Sequence, residues 1–428
     1  MNIGIVDADI IGRSNHRFPN LACMKISGYH KGKSNNTTLI YDYKDLYTNE
    51  NIWTEYQEAI VNYAKKQTEE TNKILIEKMM VCFKKESFKY DKIFISKVFT
   101  DTEIDEDFLN LDFDLVEYGG TGFFYDKAEP LPDKIEHHMP DYHLYDKWVE
   151  EKIDNKIKKE ELKKNRKLKV KEVKKIRSEF EYYLEYSIGF TTRGCFRQCG
   201  FCVNKNQKKV ELHSPIEEFL DKDRKYICLL DDNILGYGQW EEVINSLIET
   251  NKPFQYKQGM DIRIMTEKKA KKLSEVKYRG DYIFAFDNIK DKAEIEEKLK
   301  LWRKYCSKTT KLYVFCGFDR NDRWDDEFWT QDIQDIFERV RILMKHGCLP
   351  YIMRFNKYEE SPHRGIYINF ARWCNQPNFF KKKSFREFCI ANGSNSSCYN
   401  YMDSFENKHL GIAEKYYDLK YSDYKTKI

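Results

Sequence analysis

The hydrophobic and polar positions of this chain alternate between short apolar runs and longer stretches with helical spacing. Four apolar runs near the N-terminus have the length and composition of β-strands: residues 3–7, 37–41, 92–98 and 113–117. Helical spacing covers residues 20–29 and 53–85 between these runs. Strands that alternate with helices predict a doubly wound parallel sheet, with its loops gathered at the carboxyl edge.

A second alternation of strands and helices occupies the middle of the chain. Six apolar runs predict strands there: residues 186–191, 226–230, 254–259, 282–286, 311–315 and 350–355. Polar residues repeatedly follow the carboxyl ends of these runs. Parallel α/β barrels place their chemistry at that edge. The pattern therefore predicts a second α/β domain whose site lies on the loops after its strands.

Shifts in composition divide the chain into four predicted parts. Residues 1–147 form the first α/β domain, and the lysine-dense residues 148–179 form a helical connector. Residues 180–356 form the second α/β domain, and the aromatic-rich residues 357–428 form a helical cap. We expect the connector to present a solvated face. RNA binding is the alternative, although the clustered lysines lack interleaved aromatic residues.

Composition excludes several classes of function. The 74 basic and 70 acidic residues leave a formal net charge of +4, which argues against a protein that coats nucleic acid. No apolar run reaches the roughly eighteen residues that cross a membrane, and the N-terminus lacks the basic start of a secretory signal. We therefore expect a cytoplasmic protein without a membrane anchor. Clustered cysteines in that reducing compartment indicate metal binding or catalysis.

One cysteine cluster follows the first strand of the second domain. Cys195, Cys199 and Cys202 have C-x3-C-x2-C spacing. Three thiolates on such a turn can bind three irons of a [4Fe–4S] cluster, which leaves the fourth iron open to a small molecule. The alternatives are a zinc site completed by His213 and a cluster used only for electron transfer. Neither alternative needs the polar residues that follow the later strands.

The cysteine spacing in YSIGFTTRGCFRQCGFC, directly after a strand, resembles the radical S-adenosylmethionine (SAM) superfamily. The resemblance covers residues 180–356 and implies a partial (β/α)6 barrel of the TIM type with a [4Fe–4S] cluster and SAM as cofactors. It implies that SAM is cleaved to methionine and a 5′-deoxyadenosyl radical, which takes hydrogen from a substrate. It also implies an electron donor such as flavodoxin or ferredoxin. The substrate and the catalytic residues that act on it stay open.

The resemblance also implies which residues bind SAM. They are Phe201, Asp231, Asp232, Asn233, Gln258, Asp261, Arg263, Gly317 and Met353. The residues after the second strand, 231–233, match the place where the methionine amino group of SAM is held. Gln258, Asp261 and Arg263, after the third strand, match the contacts with the ribose and the carboxylate of SAM. Phe201 and Gly317 match positions near the adenine, and Met353 lines the sixth strand end. An arginine suits a carboxylate through a bidentate pair, and an aspartate suits an ammonium or a hydroxyl.

The N-terminal domain resembles the cobalamin-binding-type domain that precedes the barrel in a subset of these enzymes. The segment RFPNLACMKISGYHKGK and the glycine-rich residues 119–122 carry this resemblance. The D-x-H-x-x-G signature that supplies a histidine to cobalt is absent from its expected place, and residues 141–143 contain only its first half. We therefore expect a domain that binds no corrin. A cobalamin-dependent methylase or a methylthiotransferase is the alternative.

Two further groups contain side chains of metal-ligand type: His137, His138 and His143, and Cys374, Cys389 and Cys398. The histidines lie in a loop that we expect to be a packed connection. The spacing of the three cysteines matches no cluster motif, although an auxiliary cluster is the alternative. From a different class of function, the alternative for the whole chain is an iron–sulfur protein that senses redox state without catalysis.

Overall fold

The structure, a computed structural model, describes residues 1–47, 89–104, 108 and 115–427. The helix predicted at residues 53–85 and the start of the strand predicted at 113–117 lie outside the described residues. The chain forms two compact units, namely Met1–Ile188 with Glu217–Lys225, and Gly189–Ile216 with Tyr226–Ile428. No described helix combines the length and the hydropathy required to span a lipid bilayer.

The described part of the first unit contains a parallel sheet in the order β2-β1-β3-β4. Its strands are β1 (Asn2–Asp7), β2 (Asn36–Ile40), β3 (Lys92–Ser96) and β4 (Val116–Gly119). Two helices, α1 (Ala8–Gly12) and α2 (Leu21–Gly32), follow β1. This strand order is that of flavodoxin-like sheets, in which the order reverses between β1 and β3. The prediction of an N-terminal parallel α/β sheet agrees with the structure.

Five further helices of the described part of the first unit follow β4 in the chain. They are α3 (Thr121–Phe124), α4 (Asp133–Glu136), α5 (Asp146–Lys164), α6 (Val170–Ser178) and α7 (Glu181–Leu184). The apolar side of α5 is buried in the same core as β1, through Trp148, Val149 and Ile153. Most of the lysine-dense connector is therefore a pair of helices anchored to the first unit by one apolar stripe.

Ion pairs occupy part of the positive charge on this connector. Lys164 Nζ lies 2.7 Å from Glu172, whose carboxylate also lies 2.9 Å from Arg166. Arg177 pairs with Glu150 at 2.7 Å. Each exposed pair contributes only about 0–1 kcal/mol to stability. The pairs matter more because they reduce the free positive charge that an RNA phosphate would meet.

The second unit contains a parallel pair, β8 (Tyr226–Leu229) with β9 (Phe254–Tyr256), and a parallel sheet of three strands in chain order, β10 (Tyr282–Ala285), β11 (Thr310–Cys316) and β12 (Leu349–Arg354). The strand β5 (Tyr186–Gly189) precedes them in the chain and ends at the first residue of this unit. Met260 joins the sheets, because its amide donates to the Ile283 carbonyl at 3.0 Å and its carbonyl accepts from the Ala285 amide at 3.2 Å. Six strands follow one another in chain order, as predicted. Their closure into a barrel stays a prediction.

Helices cover one face of these sheets. They are α8 (Trp240–Glu249), α9 (Glu267–Glu275), α10 (Lys292–Tyr305) and α11 (Asp326–Lys345). Buried and half-buried residues alternate along β11. The Trp302 indole of α10 donates to Thr310 Oγ1 at 2.9 Å on the buried face, whereas Tyr313 and Phe315 point to the other face and stay half-buried. Because side chains alternate along a strand, every second residue of β11 faces the helices and the residues between them face away.

The C-terminal cap, predicted as helical over residues 357–428, consists of several short helices. The first three are α12 (Arg364–Cys374), α13 (Pro377–Phe380) and α14 (Phe385–Ile390). A proline has no amide hydrogen, so Pro377 starts a new helix instead of continuing α12. Ser384 and Glu387 form a capping box that starts α14. The cap ends with α15 (Ser397–Lys408) and α16 (Leu410–Tyr416).

Candidate functional site

A loop after β5 carries the three motif cysteines. The short strands β6 (Thr192–Arg193) and β7 (Glu211–Leu212) pair in antiparallel fashion and close this loop, residues 194–210, here called the cysteine loop. The Cys195 amide donates to the Gln207 carbonyl at 3.0 Å, which holds the returning segment beside the first cysteine. Gly194 has a φ of +96°, and a Cβ there would lie 1.8 Å from the Lys209 carbonyl oxygen. Only glycine fits this close approach of two backbone segments.

The motif cysteines are more exposed than the other cysteines of the described chain. Cys195, Cys199 and Cys202 are free and partly exposed, whereas every other described cysteine is buried. Partial burial, then the Asp287 carboxylate and the two neighbouring cysteines, raise the pKa of the Cys199 thiol. Burial is also the main cause of a raised pKa at Cys202. The three thiols therefore lie within electrostatic range of one another, at a surface that a ligand can reach.

This arrangement differs from that of a single-metal site. Within the described residues, no group of three or more His, Cys, Asp or Glu side chains is arranged to hold one metal ion. Zinc requires its ligands at about 2.0–2.3 Å from one point. His213, the fourth ligand of the zinc alternative, instead has its Nδ1 atom 3.0 Å from Ser214 Oγ. In a [4Fe–4S] cluster each cysteine binds a different iron, so its sulfurs need not converge on one point.

The two other groups of candidate ligands make local contacts. In the histidine loop, His137 Nδ1 lies 2.8 Å from Glu218, and His143 Nδ1 lies 2.7 Å from Asp146. In the cap, Cys374, Cys389 and Cys398 are buried, and the last two have their sulfurs 3.5 Å apart. Both groups thus have protein partners within their own units.

Asp231, at the end of β8, is an anchor for the start of the cysteine loop. Its carboxylate accepts from the Thr191 amide at 3.1 Å, from Thr191 Oγ1 at 2.7 Å and from Thr192 Oγ1 at 2.6 Å, and the Thr192 amide donates to it as well. The side chain is buried. Burial raises the pKa of this carboxyl, although the four hydrogen bonds act in the opposite direction. These contacts occupy the carboxylate inside the fold and hold the start of the cysteine loop, and the contact of Asp231 with SAM stays a prediction.

Asp232 and Asn233 contact the cysteine loop itself. Asp232 Oδ2 accepts from the Gly194 amide at 2.8 Å and from Asn204 Nδ2 at 2.9 Å. Asn233 Nδ2 lies 3.7 Å from Cys195 Sγ, at hydrogen-bonding distance for sulfur. The Asn233 Oδ1 atom is buried without a hydrogen-bond partner among the described residues. A buried acceptor in this state is costly unless a donor fills it, so the site offers a place for a donor such as an ammonium group.

The third strand end contributes a chain of ion pairs. Asp261 lies 2.5 Å from Arg197 of the cysteine loop and 2.7 Å from Arg263. Arg263 continues the chain to Asp291 at 2.6 Å. Asp261 is buried, and the guanidinium groups of Arg197 and Arg263 neutralise its charge. Gln258 has an exposed side chain with no hydrogen bond to another described residue.

Phe201 packs beside the end of β11, which Gly317 directly follows. The Phe201 ring lies 4.0 Å from the Phe315 ring and 5.6 Å from the Phe318 ring. The Gly317 amide donates to Asp332 at 2.7 Å and is buried, so this N–H group is not free for a ligand. The amide therefore holds the strand end in place, and the position of Gly317 near the adenine stays a prediction.

Met353 lies on the face of the sheet that the helices leave open. It pairs in register with Phe315, and its side chain is 41% exposed. Tyr351, two residues earlier on the same face, is 40% exposed, and its ring packs against Tyr313 at 5.7 Å. The face next to the Phe201 contact is therefore apolar and partly open.

Two residues of this site were not predicted from the sequence. Asp287 follows β10, and its carboxylate accepts from the Phe315 amide at 3.3 Å. Burial raises its pKa to about 6, although the Arg339 and Arg263 cations oppose that change. The buried Arg339 of α11 donates to the carbonyls of Phe286, Asp287 and Phe315 at 2.8–3.0 Å. The position of Asp287 after a strand was a usable signal, whereas the role of Arg339 depends on packing from a distant helix.

At the carboxyl edge of the first sheet, an aspartate occupies the position of the histidine that binds cobalt in the cobalamin signature. Residues 7–12 read D-x-D-x-x-G, so Asp9 stands where the cobalt-binding signature has its histidine. The Asp9 carboxylate accepts from the Val98 amide at 2.7 Å and from the Phe99 amide at 3.4 Å, and Thr102 also donates to it. Asp9 is buried in these contacts. The described residues therefore do not fit a cobalamin held by a histidine from this signature.

The glycine-rich residues 119–122 also have an internal explanation. Gly120 has a φ of +99°, and a Cβ there would lie 2.2 Å from the Lys97 carbonyl oxygen. The Gly122 amide donates to the same carbonyl at 2.8 Å. Gly120 and Gly122 are therefore required by the close approach of the segment after β3, independently of any ligand, whereas a Cβ at Gly119 would meet nothing within 4 Å.

Comparisons with known proteins give low similarities. No protein-family model and no curated protein matches the chain. The chain is 9% identical to the radical S-adenosylmethionine methyltransferase TsrM from Kitasatospora setae, solved with cobalamin and a [4Fe–4S] cluster bound, with a TM-score of 0.46 over 82% of this chain and 74% of that chain. It is 13% identical to the cobalamin-dependent S-adenosylmethionine radical enzyme OxsB in its apo, SeMet-labelled form, with a TM-score of 0.33 over 98% of this chain and 56% of that chain. Similarities of this size do not establish a shared fold or reaction.

Proposed function

We propose that this protein is a radical SAM enzyme with one [4Fe–4S] cluster bound by Cys195, Cys199 and Cys202. The observation that carries the proposal is the contrast among its cysteines. The three in the motif are partly exposed and within electrostatic range of one another, whereas the other described cysteines are buried. They lie on a loop after the first of six strands that follow one another in chain order. When bound, the cluster and SAM supply reductive cleavage of SAM and a radical that removes hydrogen from a substrate.

The residues around the loop support three roles in this enzyme. Asp231 holds Thr191 and Thr192 directly before the cysteine loop, and Asp232 holds Gly194 and Asn204 on either side of the motif cysteines. The unpartnered Oδ1 atom of Asn233 is placed to accept from the ammonium group of SAM. Arg263 donates Nε to Asp261 and Nη1 to Asp291, while its Nη2 atom makes no hydrogen bond with a described residue. That atom is available for the carboxylate of SAM.

The test is anaerobic reconstitution of the purified chain with iron, sulfide and SAM, followed by reduction with dithionite. We expect iron and sulfide at four per chain, and formation of 5′-deoxyadenosine and methionine. Cys199→Ala, Cys195→Ala and Cys202→Ala should each lose the catalytic cluster. The matched control is Cys228→Ala, which changes a buried cysteine of β8 and should keep the cluster. A Cys199→Ala protein that still holds a complete cluster would refute the ligand assignment.

A cobalamin-dependent methylase is the second candidate. The observation in its favour is the first unit's parallel sheet, whose flavodoxin-like strand order is the topology expected of the predicted cobalamin-binding-type domain. The test is reconstitution with hydroxocobalamin, desalting and a corrin absorption spectrum. Retained corrin would support the methylase, with cobalt held by a group other than Asp9. Absence of retained corrin, together with 5′-deoxyadenosine formation, would favour hydrogen abstraction.

A further inference from the structure

The surface of the cysteine loop is both basic and apolar. Residues 192–212 include one acidic side chain, Glu211, and these basic ones: Arg193, Arg197, Lys205, Lys208 and Lys209. The stretch also exposes large apolar side chains: Phe196 is 44% exposed, Val203 is 40% exposed and Leu212 is 60% exposed. We use the name loop surface for Phe196, Val203, Lys208, Lys209 and Leu212. Exposed apolar residues bordered by charge are typical of a surface that binds another protein.

Two of the cations in residues 192–212 form no ion pair within the described part of the chain. The side chains of Lys208 and Lys209 are exposed, and neither forms an ion pair with a described residue. By contrast, Arg197 pairs with Asp261. Lys205 donates to the Cys199 carbonyl at 2.7 Å. The first two cations are therefore available to an outside partner, and the other two hold the loop together.

The free lysines lie beside the proposed cluster. Gln207, directly before them in the chain, accepts from the Cys195 amide at 3.0 Å. The Lys209 carbonyl oxygen lies against Gly194, so close that it excludes a Cβ. The backbone that presents the two ammonium groups therefore runs alongside the first motif cysteine. A protein bound here would be held next to the cysteine loop.

We propose that the loop surface docks an acidic one-electron carrier protein that reduces the cluster. This inference rests on the proposed function, because that function requires a source of electrons. The two free lysines complement a negatively charged partner and would steer its approach. Two of the three exposed apolar residues are aliphatic, which suits a protein partner. Single-stranded nucleic acid binds instead on aromatic platforms, and Phe196 is the one aromatic residue of the loop surface.

The electron balance of this step is simple. The carrier, a reduced flavin or iron–sulfur protein, loses one electron, and the cluster gains it. That electron is consumed when the C5′–S bond of SAM breaks to give methionine and the 5′-deoxyadenosyl radical. The radical becomes 5′-deoxyadenosine by taking a hydrogen atom from the substrate. One electron from the carrier is therefore used for each SAM cleaved.

The experiment compares two reductants on two charge-reversed proteins. The test variant is Lys208→Glu with Lys209→Glu. The control is Lys381→Glu with Lys382→Glu, which makes the same change of charge at exposed residues of the cap. Formation of 5′-deoxyadenosine is measured with dithionite, and then with reduced flavodoxin, an acidic carrier, at low and high ionic strength.

With dithionite, we expect both variants to match the wild type, because a small reductant needs no docking surface. With flavodoxin at low ionic strength, the loop variant should need roughly tenfold more carrier for half-maximal rate, while the control changes little. High salt should reduce the difference between wild type and loop variant, because it screens exposed charges beyond about 10 Å.

The outcomes separate the two proposals. If the wild type forms no 5′-deoxyadenosine even with dithionite, the proposed function and the docking proposal are both overturned. If dithionite supports cleavage but the loop variant responds to flavodoxin like the control, the docking proposal alone is overturned. If, in addition, the loop variant no longer binds a single-stranded RNA oligonucleotide that the wild type binds, the loop surface is assigned to nucleic acid instead.

Discussion

Asp232 gives the sharpest test of how the second unit holds the cysteine loop. A single atom, its Oδ2, accepts from the Gly194 amide at 2.8 Å and from Asn204 Nδ2 at 2.9 Å. Gly194 precedes the first motif cysteine, and Asn204 follows the last one. The atom therefore ties the two ends of the motif together. Asp232→Ala removes both hydrogen bonds and keeps the backbone of the strand end.

The size of the effect follows from these two contacts. A hydrogen bond to a charged group contributes about 1.5–3 kcal/mol when it is shielded from water. Asp232 is half-buried, so solvent screening reduces this contribution. We expect a loss of about 2 kcal/mol in the free energy that keeps the loop closed, by the hydrogen-bond values above. Such a loss changes the equilibrium roughly 30-fold, and the affinity of the loop for the cluster should fall by a similar factor.

The assay is anaerobic reconstitution in the presence of a graded concentration of an iron chelator. The iron and sulfide retained per chain give the relative affinity of each protein. Asp232→Asn is the matched control, because an asparagine that places its Oδ1 at the position of Oδ2 keeps both hydrogen bonds. We expect Asp232→Asn to retain more cluster than Asp232→Ala. Equal retention by wild type and Asp232→Ala would refute the reasoning, and equal losses in both variants would assign the effect to charge.

Two further predictions concern the backbone and the pH dependence. Gly194→Ala should cost about 1–3 kcal/mol in loop stability and impair cluster loading, because its φ of +96° and the Lys209 carbonyl leave no room for a Cβ. The control is Gly238→Ala, where a Cβ would meet nothing within 4 Å, and equal cluster loading in both variants would contradict the prediction. Burial raises the pKa of Asp7 from 3.8 to about 7. Its protonated form therefore stabilises the fold fully below pH 3.8, and this contribution is lost as the pH rises to about 7. Asp7→Asn should match the wild type in urea unfolding near pH 4 and exceed it by up to about 4 kcal/mol above pH 7; an unchanged pH slope would show that Asp7 is not the titrating group.

The cysteine motif and the strands were predictable because each depends on local sequence. A strand of four to seven residues reveals itself by its apolar run, and all six predicted strands of the second unit overlap observed ones. The division of the C-terminal cap into separate helices was less predictable. Its spacing is helical throughout, and the breaks at Pro377 and Ser384 depend on capping residues within that spacing.

The individual roles of the site residues were less predictable, because a polar residue after a strand has several possible partners. Asp231 and Asp232 are neighbours in the sequence, yet the first is buried against Thr191 and Thr192, and the second reaches across the cysteine loop. Both lie just after the end of β8, so no regular strand geometry decides which way each side chain points. Which side carries a ligand depends on what the rest of the chain packs there. The same reason applies to Gly317, whose amide is occupied by Asp332 of a later helix.

The sequence by itself determined the α/β character of both halves and the place of the cysteines after a strand, because hydrophobic period and residue spacing are local properties. Only the tertiary structure decided that these three cysteines stay partly exposed while the other described cysteines are buried. It also decided that Asp261 is shared between Arg197 and Arg263 and that Asn233 keeps a buried oxygen without a partner among the described residues. Burial and pairing are long-range properties, since each depends on segments far apart in the chain that meet only when it folds.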